Sequence, residues 1–298
     1  MKKFVLFALF ALILGLTVGC DGGVFPNNDA TNSPNSSFNP SSKPSSSPTP
    51  TPTPVDELSG YSIVWKDEFN DTNLDTNKWK IDTSARHSAT NSARAIKVAD
   101  GLLTITTFTE AGKHYTGFLD SSNKYEPLYG FFEARIKFSS TPGEWGAFWL
   151  QSNSMGNPIG DPSKAGVEID VMEHRQCTKD GTDISGQMIS TIHWDGYGSN
   201  HKRSTSNMIY ANPDKTTLAG EWHVYGVLWT KDGYTFYLDG KPFWSTKEAI
   251  SNVKEHLRLT CEVWDKEWAG NIPAAGYGTL ETSKTNMQVD WVKVWQKK

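Results

Sequence analysis

Apolar residues recur at every second position along most of this chain, and that period dictates strands rather than helices. In residues 131–138, Phe132, Ala134, Ile136 and Phe138 alternate with Phe131, Glu133, Arg135 and Lys137, giving one apolar face and one mixed face. Leu103, Ile105 and Thr107 repeat the pattern, as do Trp222, Val224, Gly226 and Leu228, and then Leu257, Leu259, Cys261 and Val263. Tyr234, Phe236 and Leu238 run into Asp239-Gly240, a dipeptide suited to a two-residue hairpin, with Phe243 and Trp244 beyond it. Residues 289–295 form a last strand in which either Trp291 and Trp295 or Val292 and Val294 face the core. Helical character is expected only around Lys247 to Glu255. Many short strands between turn clusters, with few helices, predict an all-β sandwich. A curved jelly roll of this kind offers a concave face that makes a natural groove.

The first 57 residues are of a different kind. Lys2 and Lys3 precede an apolar run from Phe4 to Val18, too short for a good membrane span and laid out like a secretory signal. Gly19-Cys20 resembles the end of a bacterial lipobox, so residues 1–20 are expected to be a lipoprotein signal with Cys20 as the lipidated residue. Thr17 stands where such motifs usually carry Leu. Residues 21–57 are rich in Ser, Pro, Thr and Asn, a composition that cannot bury enough apolar surface to offset chain entropy. They read as an extended tether. Residues 58–298 remain as one domain, without internal repeats. The expectation is an extracytoplasmic, lipid-anchored monomer on a bacterial membrane or cell surface. The formal net charge of −4 argues against general nucleic-acid binding. With Cys20 lipidated, Cys177 and Cys261 are left, and their spacing leaves pairing open.

The segment Glu168-Ile169-Asp170-Val171-Met172-Glu173 puts three carboxylates within six residues of an apolar-rich strand. In a regular strand Glu168 and Asp170 share a face, and Glu173 falls on the other. One extra residue at Val171-Met172, a β-bulge, would return Glu173 to the face of the first two. Retaining glycosidases need two carboxyl groups about 5–5.5 Å apart, one to attack the anomeric carbon and one to protonate the leaving oxygen. A third carboxylate nearby raises the acid's pKa. The other reading is an exposed acidic strand edge, which aligned like charges would destabilise.

This segment resembles the E-[ILV]-D-x-x-E signature of glycoside hydrolase family 16, in its bulged branch of laminarinases, agarases and carrageenases. The resemblance extends over nearly all of residues 60–297. Trp65-Lys66-Asp67-Glu68-Phe69 resembles the family's opening strand, and residues 129–135 the strand before the groove. Residues 143–150 resemble the laminarinase segment before the catalytic strand, Ile192-His193-Trp194 the strand after it, and residues 289–295 the closing strand. The resemblance implies a jelly roll of the concanavalin A-like type, with 58–298 as the catalytic domain. It implies Glu168 as nucleophile, Asp170 as its assistant and Glu173 as acid/base, cutting within chains with retention and without a catalytic cofactor. His193 would stand near the carboxylates. Some members carry a structural calcium, and the matching positions here are Glu68, Gly101 and Asp290.

Twelve Trp suit an open groove, because flat sugar faces stack on aromatic rings. Trp145, Trp194 and Trp268 are the expected sugar platforms, with Arg135 and Glu262 as polar contacts. The laminarinase-like segment implies a β-1,3-glucan or mixed β-1,3-1,4-glucan substrate. Two departures weigh against it: residues 161–167 lack the usual Trp-Pro, and Gly146 stands where Pro is common. The second enzyme reading is a galactan hydrolase acting on agar or carrageenan; His201-Lys202-Arg203, after a Gly-rich loop, reads first as a solvated loop and second as a sulfate contact. A jelly roll with an aromatic groove can also serve as a sugar-binding module, but that reading predicts loss of a catalytic carboxylate, and all three are present. A transglycosylase would use the same residues.

Overall fold

The computed structural model describes residues 58–139, 141–210 and 218–298. The signal, Cys20 and the tether of residues 21–57 lie outside the described residues. Two large antiparallel sheets make the fold, with a smaller third sheet at one side. The back sheet runs Lys241–Thr246, Gly233–Leu238, His223–Thr230, Gly130–Phe138, Asn286–Lys297, Leu102–Thr106 and Ile96–Ala99 in spatial order. Asn286–Lys297 is long enough to share one edge between two partners, Leu102–Thr106 along its first half and Tyr61–Asp67 along its second. The groove sheet runs Lys202–Thr205, Gln187–Trp194, Glu168–Arg175, Glu144–Gln151, His256–Val263, Phe118–Asp120 and Lys80–Ile81. The expected all-β sandwich of jelly-roll type is the fold.

The core lies between these sheets. Phe132, Ala134, Ile136 and Phe138 of the back sheet join Phe148, Leu150, Ile169, Val171 and Met172 of the groove sheet in one apolar cluster. Val292 and Val294 face this core, so Trp291 and Trp295 lie on the outer side. Gly146 faces inward against a ring: a Cβ there would come within 2.4 Å of Phe138, so a larger residue would have to displace that ring. The predicted hairpin is present, with Asp239 at φ 50° and Gly240 at φ 73°, as that turn requires.

Two local expectations fail. The strand His223–Thr230 buries Tyr225, Val227 and Trp229 in the core, so Trp222, Val224, Gly226 and Leu228 form its other face. Both faces of that strand are apolar, and alternation alone cannot choose between them. Residues 247–255 form no helix. The helices among the described residues are a single turn at Pro162–Ala165 and a 3-10 turn at Ala93–Ala95. The strand Lys241–Thr246 is followed by turns in which Ala249 takes φ 51° and Ser251 binds Tyr234. Cys177 and Cys261 are buried free thiols.

Candidate active site

The strand Glu168–Arg175 sits inside the groove sheet, paired on both edges. Its pairing breaks at the predicted place. Against Glu144–Gln151, Phe148 faces Met172 while the next residue, Trp149, faces Asp170, so Val171 has no partner of its own. Against Gln187–Trp194, Asp170 faces Thr191 and Glu173 faces Ile189. Three steps on one strand therefore match two on the other, which defines a bulge. Val171 and Met172 both point into the core, at 1% and 0% exposure. Glu168, Asp170 and Glu173 consequently line one cavity of about 380 Å³ on the outer face of the sheet.

The site is densely acidic. Ligating atoms of Glu168, Asp170 and His193 lie within 4.8 Å of one another. Burial, then the charge of Asp170, pushes the Glu168 carboxyl up to about 8. Burial raises Asp170 and Glu173 well above the carboxylate range, helped at Glu173 by the charges of Asp170 and Glu168. Three carboxyls this close cannot all ionise near neutrality, so they titrate as a coupled set. The donors decide which of them holds charge. Glu168 accepts from Gln151 and Tyr197, and among the described residues no donor reaches Glu173. Donors favour the ionised form, so Glu168 is the carboxyl placed to give up its proton first and Glu173 the one placed to hold its proton longest, which fits Glu168 as nucleophile and Glu173 as acid. His193 Nε2 lies 3.2 Å from Asp170 Oδ2, and its Nδ1 lies 2.8 Å from His201 Nε2. Burial holds the His193 imidazole below its usual pKa.

The other expected groove residues divide. Trp145 and Glu262 line the cavity with the three carboxylates, and an adjoining cavity of about 400 Å³ takes in Trp145, Glu173, His193 and Trp268. Trp145 meets Trp268 edge-on at 5.6 Å, and Arg175 stacks on Trp268 at 3.9 Å. Burial pushes the Glu262 carboxyl up, but hydrogen bonds from His87 and Arg86 outweigh it and hold the group below its usual value. Trp194 is not in the groove: it packs against the main core. The reason is the strand period, since His193 faces the groove and its neighbour must face the other way. Arg135 is not in the groove either. It belongs to the back sheet, where its Nη1 binds Asp290 Oδ2 at 2.9 Å and Trp222 covers it at 4.7 Å.

Several groove residues carry no strong sequence signal. Arg86, at the end of the short strand Ala85–Arg86 of the third sheet, and His87, in the turn after it, reach Glu262. Trp264 is 40% exposed and stacks on His87 at 4.4 Å. Tyr197 comes from a Gly-rich loop, whereas Arg203, from the cationic cluster at residues 201–203, lines the cavity beside Glu173 and Trp268. Trp149 lines the same cavity as Trp145, as strand parity puts the two on one face.

The three expected calcium positions are a poor set for a cation. Asp290 is already neutralised by Arg135, and Glu68 is bound to Lys66 at 3.2 Å and to Asn70 at 3.5 Å. No step of the chemistry below involves a metal.

A jelly roll with clustered, protonation-coupled carboxyls on a bulged central strand defines the carbohydrate-cleaving class of this fold. The sequence matches the family description "Beta-porphyranase A-D, GH16 domain" over residues 64–297, and the chain belongs to glycoside hydrolase family 16. It is 26% identical over 285 residues to a glucan endo-1,3-β-glucosidase of Niallia circulans, covering 80% of this chain and 38% of that protein. It is 28% identical over 280 residues to β-porphyranase C of Zobellia galactanivorans, covering 77% of this chain and 76% of that protein. This chain thus spans well under half the length of the first relative. The crystal structure of porphyranase B from Zobellia galactanivorans superposes with a TM-score of 0.63 at 23% identity, covering 79% of this chain and 92% of that one, which supports the fold.

Proposed function

We propose that this chain is an endo-acting, retaining hydrolase of a β-linked polysaccharide. The observation that carries this reading is the bulge at Val171, which puts Glu168, Asp170 and Glu173 on one groove face. Glu168 attacks the anomeric carbon while Glu173 gives its proton to the departing glycosidic oxygen. Glu173 then takes a proton from water, which displaces Glu168. Asp170 is the third crowded carboxyl between the two, and charge shared onto it favours a protonated Glu173 before attack.

For the substrate, the sequence put β-1,3- or mixed β-1,3-1,4-glucan first, and the Niallia circulans relative supports it. One groove feature favours the galactan reading instead. Arg203 faces the cavity next to Glu173 with no carboxylate partner among the described residues, whereas Arg86 and Lys202 each have one. An unpaired guanidinium suits sulfate or carboxylate on the sugar. An anionic β-galactan is therefore the preferred substrate, with β-glucan second. The N-terminal reading completes the proposal: a signal ending at Cys20 and a tether of residues 21–57 hold the enzyme to a membrane outside the cytoplasm.

The test is a digest of porphyran, carrageenan, agarose, laminarin, lichenan and barley glucan, with product sizing and NMR of the first anomers. Internal cleavage with β-anomers appearing first is expected. Initial α-anomers would overturn the mechanism, and release from glucans alone would overturn the substrate order. Replacing Cys20 by Ala should release the protein from membrane fractions; an unchanged distribution would sink the anchor.

A further inference from the structure

Two donors from separate parts of the chain converge on one oxygen of Glu168. Gln151 Nε2 lies 2.6 Å from Glu168 Oε2, and the Tyr197 hydroxyl hydrogen-bonds the same Oε2. Gln151 Nε2 also reaches Tyr197 Oη at 3.1 Å. The hydrogens suffice for all three contacts. The amide gives one N–H to Glu168 and one to the phenol oxygen, and the phenol O–H goes to Glu168.

The arrangement is built from behind. Arg258 Nη1 lies 2.5 Å from Gln151 Oε1, and Arg258 Nε lies 3.0 Å from Asp120 Oδ2. A guanidinium only donates, so the amide must turn its oxygen to Arg258 and its N–H groups to Glu168. Tyr197 is fixed through its backbone. Asp195 is 2% exposed at φ 63° and accepts from the Gly160 N–H at 2.8 Å and from Lys202 at 2.9 Å. Gly196 lies so close to Gly156 that a Cβ on residue 156 would come within 2.8 Å of its Cα. The loop is thereby pinned to the chain at Gly156 and Gly160. Tyr197 is 61% exposed as a residue, yet its hydroxyl bonds Glu168 on the groove floor.

We propose that Gln151 and Tyr197 form a two-donor clamp on Glu168 Oε2, which leaves Oε1 as the attacking oxygen. Arg258 and Asp195 are positioning residues for the two donors. The inference rests on Glu168 being the nucleophile. In the first step Oε1 forms a bond to the anomeric carbon, the glycosidic C–O bond breaks, and the leaving oxygen takes the proton of Glu173. In the second, water gives a proton to Glu173 as its oxygen bonds the anomeric carbon, the bond to Oε1 breaks, and its electron pair returns to a carboxylate whose Oε2 is already held by two donors. The clamp thus serves Glu168 as attacking anion and as leaving group. Burial and the neighbouring Glu168 hold the Tyr197 phenol well above its usual pKa, so it remains a donor throughout the working range.

The experiment compares the full chain with Tyr197→Phe and with Gln151→Met. Tyr197→Phe should lower kcat by about 10²-fold, the usual loss for one donor on a developing charge, with KM within about threefold. The acid limb of the pH profile should also move to higher pH, because the lost donor stabilised the ionised carboxylate. The other groups acting on Glu168 are unchanged in this variant: Asp170, Glu173, His193, Arg86, Arg258 and Glu255. A purely structural role would lower the melting temperature without moving the limb. Wild-type kcat, or a fall in kcat with an unmoved limb in both variants, overturns the clamp. A 2-deoxy-2-fluoro dinitrophenyl glycoside of the disaccharide released by the wild type separates the two levels of the argument. Label on Glu168 that forms more slowly in Tyr197→Phe supports the clamp. Label on Glu168 at an unchanged rate overturns the clamp alone, and label on another residue overturns the nucleophile assignment as well.

Discussion

The two large sheets bury charge on their outer faces in opposite ways. On the back sheet, Arg135 and Asp290 form a pair with side chains 9% and 12% exposed, and Glu133 accepts from Trp295 Nε1 at 2.9 Å. On the groove sheet, Glu168 and Asp170 are 7% and 4% exposed and lie against each other and Glu173. Both sheets are built from alternating strands, and what differs is which charges the outer face brings together, on the groove side through the bulge at Val171. The back sheet pairs opposite charges, which limits the cost of burial. The groove sheet packs like charges, which raises that cost and shifts protons. Stability alone would not assemble the second arrangement, and a cleft with strongly shifted carboxyls is where chemistry is expected.

The comparison can be broken by exchanging one carboxylate on each side for its amide. Glu168→Gln should cut polysaccharide cleavage by about 10⁴-fold or more while leaving glycan binding measurable. Its melting temperature should hold or rise, because one of three crowded carboxyls is gone. Near-wild-type turnover would remove Glu168 from the reaction. Asp290→Asn should do the reverse. It strands Arg135 under Trp222, at a cost of about 3–5 kcal/mol, and should lower the melting temperature without changing kcat per folded molecule. A drop in kcat would mean that the back sheet has a part in the reaction.

Arg203→Ala sharpens the electrostatic side of the contrast. It should reduce kcat/KM about tenfold on a sulfated galactan and leave the desulfated polymer unaffected. Equal losses on both would point to a general contact with the sugar rather than to charge recognition. The smallest effect is on pH dependence. Glu168 stands at about 8 in the folded chain, raised from 4.5, so the native state keeps a proton that the unfolded state has released. Its contribution to stability is full below about 4.5 and is lost as pH rises towards about 8. Melting temperature should therefore decline from about pH 5 to pH 8, and the decline should be shallower in Glu168→Gln. Equal slopes would show that the groove carboxyls do not drive it.

Much of this was legible in the chain. The alternation around Phe132 and Leu257 gave strand faces correctly, because one side of each is plainly apolar. It misassigned His223–Thr230, where Tyr225, Val227 and Trp229 compete with Val224 and Leu228. The spacing from Glu168 to Glu173 required a bulge if the carboxylates were to meet, and the register has one. Arg135 and Trp194 were misplaced for two reasons. Arg135 lies on a strand whose sheet cannot be read locally. Trp194 follows His193 directly, and the strand period turns adjacent side chains to opposite faces.

What the sequence determined by itself was the repeat of two, the turn chemistry at Asp239-Gly240, and the one-residue excess between Asp170 and Glu173. These are local matters of side-chain direction and backbone sterics. Only the tertiary structure decided what surrounds the carboxylates. Arg86 and His87 on Glu262, Arg258 behind Gln151, and Tyr197 over Glu168 come from segments separated by 29 to 176 positions. Strand alternation says which way a side chain points but not what it meets, and the protonation of Glu168 depends on what it meets.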